Sequence, residues 1–168
     1  IGFHESAVSA LPEAGVERFR DMLPITRVSA MALELMLTSL ELIMAGVLER
    51  FPGLRVVFLE GSSGWLPFWL SRMDGTYDLK GTFGEMDHLN AKPSEYFKRQ
   101  CFISMDCDDE HGKYVADTVG DDCLVTTTDY PHQDGLYPDA MDEFLKLPFS
   151  NESKRKILWD NPNRLYRL

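Results

Sequence analysis

The chain predicts an α/β fold, a run of about four βα units on a parallel sheet, in one domain over residues 1–168. Three observations carry that expectation. Short apolar runs alternate with longer stretches of helical composition. The runs are nearly continuous, as in parallel strands covered on both faces. Polar or charged residues follow them, where parallel α/β proteins keep their chemistry.

The first run is Ile1 to His4, with an imidazole at its end. Val28 to Arg50 is rich in Leu, Met, Ala and Glu, and Phe51-Pro52-Gly53 stops it, which predicts a long helix and a turn. Leu54 to Leu59 reads as the second strand, ending at Glu60-Gly61, and Trp65 to about Asp74 as the helix after it. Between Gly75 and Lys92 the sequence turns polar and glycine-rich without a period, an excursion that fits a lid, a contact between subunits or a solvated loop. Pro93 to Arg99 has proline at its start, as short helices do, and Cys101 to Met105 is the third strand. Asp108 to Val119 resumes a helical pattern, and Cys123 to Thr128 is the fourth strand. Pro138 to Leu147 and Asn151 to Leu158 read as helices, the latter capped by Ser150 or Asn151. Trp159-Asp160-Asn161-Pro162 is expected to break it before a last turn carrying Leu165 and Leu168.

Four βα units make half of an eight-stranded barrel. Standing alone, such a half would expose two sheet edges and an apolar inner face, which predicts a homo-oligomer. No repeat or linker divides the chain.

Composition narrows the function. A hydrophobic share of 44% over 168 residues supports a folded core and argues against disorder. A net charge of -10 opposes sequence-independent binding to nucleic acid or an anionic membrane, which leaves small molecules or proteins as partners. Met31 to Leu48 is apolar, but Glu34 and Glu41 interrupt it, so a buried helix explains it better than a membrane span. No secretory signal opens the chain, and Ile1 is not an initiator methionine, so the sequence is expected to start mid-protein. Cys101, Cys107 and Cys123 are odd in number and lie in or beside apolar runs, which fits reduced thiols in a cytoplasmic protein.

Asp129-Tyr130-Pro131-His132 sets an acid and an imidazole at the fourth strand's mouth. With His4 and Glu60 these residues offer the hard and borderline donors that a catalytic divalent metal needs. Each has a duller reading: His4 as a hydrogen-bonded surface group, Asp129 as a turn cap, His132 as a loop residue at the rim of the pocket. Glu60 is harder to dismiss, since a carboxylate beside a buried strand is costly unless paired. Arg72 suits either bidentate contact with a substrate carboxylate or a scaffold pair with Glu60 or Asp74. Trp65 suits pocket and core equally, whereas Trp69 reads as core. A serine hydrolase built on Ser62 or Ser63 fails, because Gly61-Ser62-Ser63-Gly64 lacks the nucleophile elbow and Asp129 lies only three residues before His132. The commonest nucleotide-binding motifs are absent.

The segment from Phe51 through Glu60-Gly61-Ser62-Ser63-Gly64-Trp65 to Asp74 resembles the amidohydrolase-2 family of metal-dependent hydrolases and decarboxylases. Lys92 to Ser104, Thr128 to Gly135 and Lys154 to Tyr166 resemble that family's later segments, in order. The resemblance implies the second half of a metal-dependent (β/α)8 barrel, from strand five onward. It also implies a divalent cofactor, zinc first with manganese or iron as alternatives. His4 then matches the strand-five metal histidine. Asp129 matches the strand-eight aspartate, which binds metal and helps activate water. Arg72 falls where relatives carry an arginine that often contacts the substrate's carboxylate. Glu60 stands near the mouth where many decarboxylases of the family have a histidine, and can serve as acid, base or ligand. No segment matches the His-x-His or Glu-x-His pair of a first strand. The implied function is metal-assisted hydrolysis or decarboxylation of a small carboxylated or cyclic substrate, with Asp129 and Glu60 catalytic and Arg72, Trp65 and His132 on the substrate side. The competing expectations are an inactive half-barrel that self-associates and a binding module without chemistry.

Overall fold

The computed structural model describes residues 1–4, 16–19, 21–83, 86–133 and 135–168. Its strands are β1 (Gly2–His4), β2 (Val56–Leu59), β3 (Cys101–Asp106) and β4 (Leu124–Thr127), all parallel and ordered in space as in sequence. That order follows from crossovers of one hand: each helical return packs on the same side, so the sheet is wound in one direction as in a barrel.

Between β1 and β2 lie α1 (Val16–Phe19), α2 (Leu23–Met44) and α3 (Val47–Arg50). The β2 to β3 connection carries α4 (Leu66–Asp78), α5 (Lys80–Phe83) and α6 (Pro93–Gln100). After β3 comes α7 (His111–Thr118), and after β4 come α8 (Ala140–Lys146), α9 (Asn151–Arg155) and α10 (Asn161–Tyr166). No helix among the described residues is long and apolar enough to cross a membrane.

The sheet's two faces bury different sets. Phe58, Ile103 and Leu124 share a register row and join the larger core with Leu35, Leu70, Phe97, Val115 and Phe144 from the helices. The Phe58 ring lies between Phe3 and Phe97, with centroids 6.1 and 5.9 Å away. Val57, Phe102 and Val125 face the other way and pack with Leu165 of α10, while the Arg164 guanidinium lies 4.8 Å from the Phe102 ring centroid. The inner face was expected to be exposed in a half-barrel. Its central side chains are instead buried, because the last helix folds back over the sheet.

Other boundaries shift for local reasons. The first long helix begins at Leu23, with Pro24 in its opening turn, and stops before Gly46, whose φ of 74° is a left-handed terminator. The second extends to Asp78, and α5 follows at once, so much of the supposed excursion is helical; residues 84 and 85 lie outside the described residues. Asp74 accepts the Ser94 N–H at 2.8 Å and so fastens α6 to α4. Ser150 is the cap of α9, accepting the Ser153 N–H at 3.0 Å. Trp159 to Pro162 does not break the helix: a π-helical turn over Lys156–Asp160 carries the chain into α10. Its wider bonding loop accommodates Pro162, which lacks an N–H and crowds the preceding turn.

Candidate active site

Parallel order brings the C-terminal ends of all four strands to one end of the sheet. His4 closes β1, Glu60 follows β2, Asp106 closes β3, and Asp129 lies just beyond β4. His4 Nε2 is 2.6 Å from Glu60 Oε2, and His132 Nδ1 is 2.7 Å from Asp129 Oδ1. One donor atom each from Glu60, Asp129 and His132 lie within 4.8 Å of one another. His4 meets this group through Glu60.

The backbone is bent to achieve this. Glu60 and Asp129 have φ of 61° and 54°, a left-handed conformation that costs a non-glycine residue about 1–3 kcal/mol and collects at functional sites. Neighbouring bonds hold it: the Glu60 N–H donates to Ser104 Oγ on β3 at 2.9 Å, and the Asp129 N–H to Thr127 Oγ1 at 3.2 Å. Gly135 closes over the same mouth, where a Cβ would come within 3.0 Å of the carbonyl oxygens of Thr128 and Asp129.

These groups open on a cavity of about 220 Å³, lined by Glu60, Asp106, Asp108 and Asp129 among others, with Arg27 at its side. Burial raises the pKa of the Asp106 carboxyl, and the carboxylates of Asp109, Asp108, Asp129 and Glu60 raise it further. So much negative charge around one cavity favours a cation. Two carboxylates and an imidazole fit a hard-to-borderline divalent ion, and His132, with 60% of its side chain exposed, leaves an open side for water or substrate. Cys107 also lines the cavity, but burial pushes its thiol up, and a neutral thiol is a poor ligand.

A second cavity, of about 710 Å³, adjoins the first and shares Arg27, Met31 and Glu60 with it. Trp65 lines it, its Nε1–H donating to the Gly61 carbonyl at 3.1 Å and its ring set edge-on to Phe58. Trp69 ties α4 to α2 instead, donating to the Met36 carbonyl at 2.9 Å. Ser63 is fully buried, and its hydroxyl donates to Asp109 at 2.8 Å, so Ser63 is not an available nucleophile, whereas Ser62 is exposed at the second cavity. Arg72 is exposed on α4 and lines neither cavity.

Sequence reasoning did not single out Asp106 or His111. The strand-mouth rule reaches Asp106 once β3 is extended one residue past Met105. His111, five residues further on at the start of α7, lines the second cavity and had no such signal.

Residues 27–168 match the profile of a family described as Amidohydrolase. Among curated proteins, 2-amino-3-carboxymuconate-6-semialdehyde decarboxylase of Dictyostelium discoideum is 29% identical over 133 residues, covering 78% of this chain and 36% of that protein. A solved 5-carboxyvanillate decarboxylase from Sphingomonas paucimobilis superposes with a TM-score of 0.81 at 27% identity, covering 99% of this chain and 49% of its own. A dihydroxybenzoic acid decarboxylase from Polaromonas, solved with manganese and the inhibitor 2-nitroresorcinol, shares the fold at a TM-score of 0.75 and 19% identity, again over 99% and 49%. The chain therefore spans 36% of the length of the curated relative and about half that of the solved ones. Its four βα units correspond to half of a TIM-type barrel.

Proposed function

The chain belongs to the amidohydrolase family, and on that footing we propose that its strand mouths hold one divalent cation and serve the hydrolysis or decarboxylation of a small carboxylated substrate. The observation that carries this reading is the convergence of Glu60, Asp129 and His132 within 4.8 Å at the rim of a carboxylate-rich cavity. Those three residues would hold the ion, with His4 either joining them or orienting Glu60 through their 2.6 Å bond. A donor set with two carboxylates suits manganese as well as the zinc expected from sequence, and a bound ion of either kind would polarise water or a substrate carboxylate.

The chain's own groups supply the rest. The Glu60 and His4 pair holds a proton between Oε2 and Nε2, from which Glu60 can act as acid or base. Asp129, oriented by His132, is the base nearest the open side. Trp65 walls the neighbouring cavity, which takes the body of the substrate, and Arg27 lines both spaces. Arg72 keeps the role of meeting a substrate carboxylate only for a substrate met at the exposed face of α4. Turnover, substrate and partners of the whole protein belong to this proposal. So does self-association, supported by the exposed Leu33, Leu37 and Phe68, and a cytoplasmic setting, supported by three buried unpaired thiols.

Metal content per chain is the direct test. Elemental analysis after loading with manganese or zinc should find about one ion per chain, and Glu60→Gln or Asp129→Asn should weaken binding at least about tenfold, the usual scale for a lost metal contact. An unaltered protein that retains no ion would sink the proposal.

A further inference from the structure

Resting on the proposed carboxylate site, we infer that His111 is a specificity-determining residue: its Nε2 accepts a hydrogen bond from a hydroxyl on the part of the substrate remote from the carboxylate. The second cavity is walled by Trp65, Met31, Val28 and Pro24, an apolar slot suited to a planar body. It continues from the metal cavity through Glu60, Arg27 and Met31, so a substrate anchored by its carboxylate in the first extends into the second. His111 brings a neutral-capable acceptor to that slot.

Its ring is fixed from two sides. Asp109 Oδ1 lies 3.3 Å from His111 Nδ1 and accepts the His111 backbone N–H at 2.9 Å. The other oxygen of Asp109 accepts the Ser63 hydroxyl at 2.8 Å and the Ser63 N–H at 3.2 Å, so the carboxylate cannot turn away. Only 6% of the Asp109 side chain is exposed, against 77% of that of His111, so the acid is anchored in the protein while the imidazole faces the open slot. On the opposite side the imidazole rests on Gly64, where a Cβ would come within 3.0 Å of His111 Cβ and 3.2 Å of its Cγ. A carboxylate at Nδ1 keeps the proton on that nitrogen and leaves the Nε2 lone pair outward, the arrangement by which a buried acid sets an imidazole's tautomer. Among the described residues nothing hydrogen-bonds Nε2. Asp109 is accordingly a positioning residue and His111 the contact.

Manganese-loaded protein titrated with benzoate, 3-hydroxybenzoate and 4-hydroxybenzoate by calorimetry tests this. At least one hydroxylated acid should bind about fivefold more tightly than benzoate, the scale of one ordinary hydrogen bond. His111→Phe should abolish that preference while leaving metal content within about twofold, and His111→Gln, which keeps an acceptor, should retain part of it. Asp109→Asn should weaken the preference without removing the metal. Equal binding of all three acids by the unaltered protein, or a preference that survives in His111→Phe, overturns the role of His111 and leaves the metal site standing. A protein that takes up neither metal nor any of the three acids overturns both.

Discussion

Asp106 shows how the site's chemistry weighs on a single residue. Burial and four neighbouring carboxylates hold its pKa above the ordinary carboxylate range. A carboxyl whose folded pKa exceeds its unfolded one favours the fold while protonated, and that advantage is lost as pH rises from the unfolded value through the folded one. At neutral pH Asp106 therefore opposes folding of the metal-free protein. Asp106→Asn is expected to raise the metal-free melting temperature at neutral pH, with the gain fading in acid and shrinking when a divalent ion is added. Calorimetry across pH measures this, and an unchanged melting temperature at neutral pH would count against it. At this scale the sequence was legible as placement: Glu60 and Asp129 stand at strand mouths, and their roles there belong to the proposal. It was mute about His111, whose relevance depends on Gly64 and Asp109 coming together from two different loops. Arg72 looked apt by residue type, yet the rotation of α4 that places Trp65 at the cavity leaves it in solvent.

Among the elements, the C-terminal helices are held by polar bonds that no local pattern announces. Asp121, just before β4, accepts the Ser153 hydroxyl at 2.7 Å and the Lys156 ammonium at 2.9 Å. Burial pushes its carboxyl pKa up, but those two partners more than offset this and leave it lowered. A depressed carboxyl stabilises the fold above its unfolded pKa and loses that contribution as pH falls through the folded value. Asp121→Asn should thus lower the melting temperature at neutral pH, with the deficit closing in acid; a constant deficit would mean that packing rather than charge is responsible. Asn161 is buried and donates to the carbonyls of Asp121 at 2.8 Å and Leu124 at 2.7 Å. Asn161→Ala strands both acceptors and should cost about 1–3 kcal/mol in urea unfolding. The sequence offered Asn161-Pro162 only as a helix breaker, because proline's effect was judged within an α-helix and the π-helical turn that absorbs it is invisible to that rule.

For the whole molecule, the topology was the most legible level. Four apolar runs separated by helical stretches leave few arrangements once crossovers share one hand, and the observed parallel order is the simplest of them. Hidden from view was the covering of the inner face by Arg164 and Leu165, since nothing in a short terminal helix says which side of the sheet it will meet. The helix-side core rests on Phe58 at the centre of its aromatic row. Phe58→Ala should lower stability by about 3–5 kcal/mol, read from chemical denaturation, and a loss under 1 kcal/mol would imply a core that repacks freely. The left-handed backbone at Glu60 and Asp129 reaches beyond any one mutant. Glycine or asparagine would relax either position, so a breeding experiment scored on heat resistance alone would drift toward replacing them. On the proposed metal site, it would end with a hardier descendant that no longer holds the ion, because heat resistance and cation binding would then run opposite ways at these two positions.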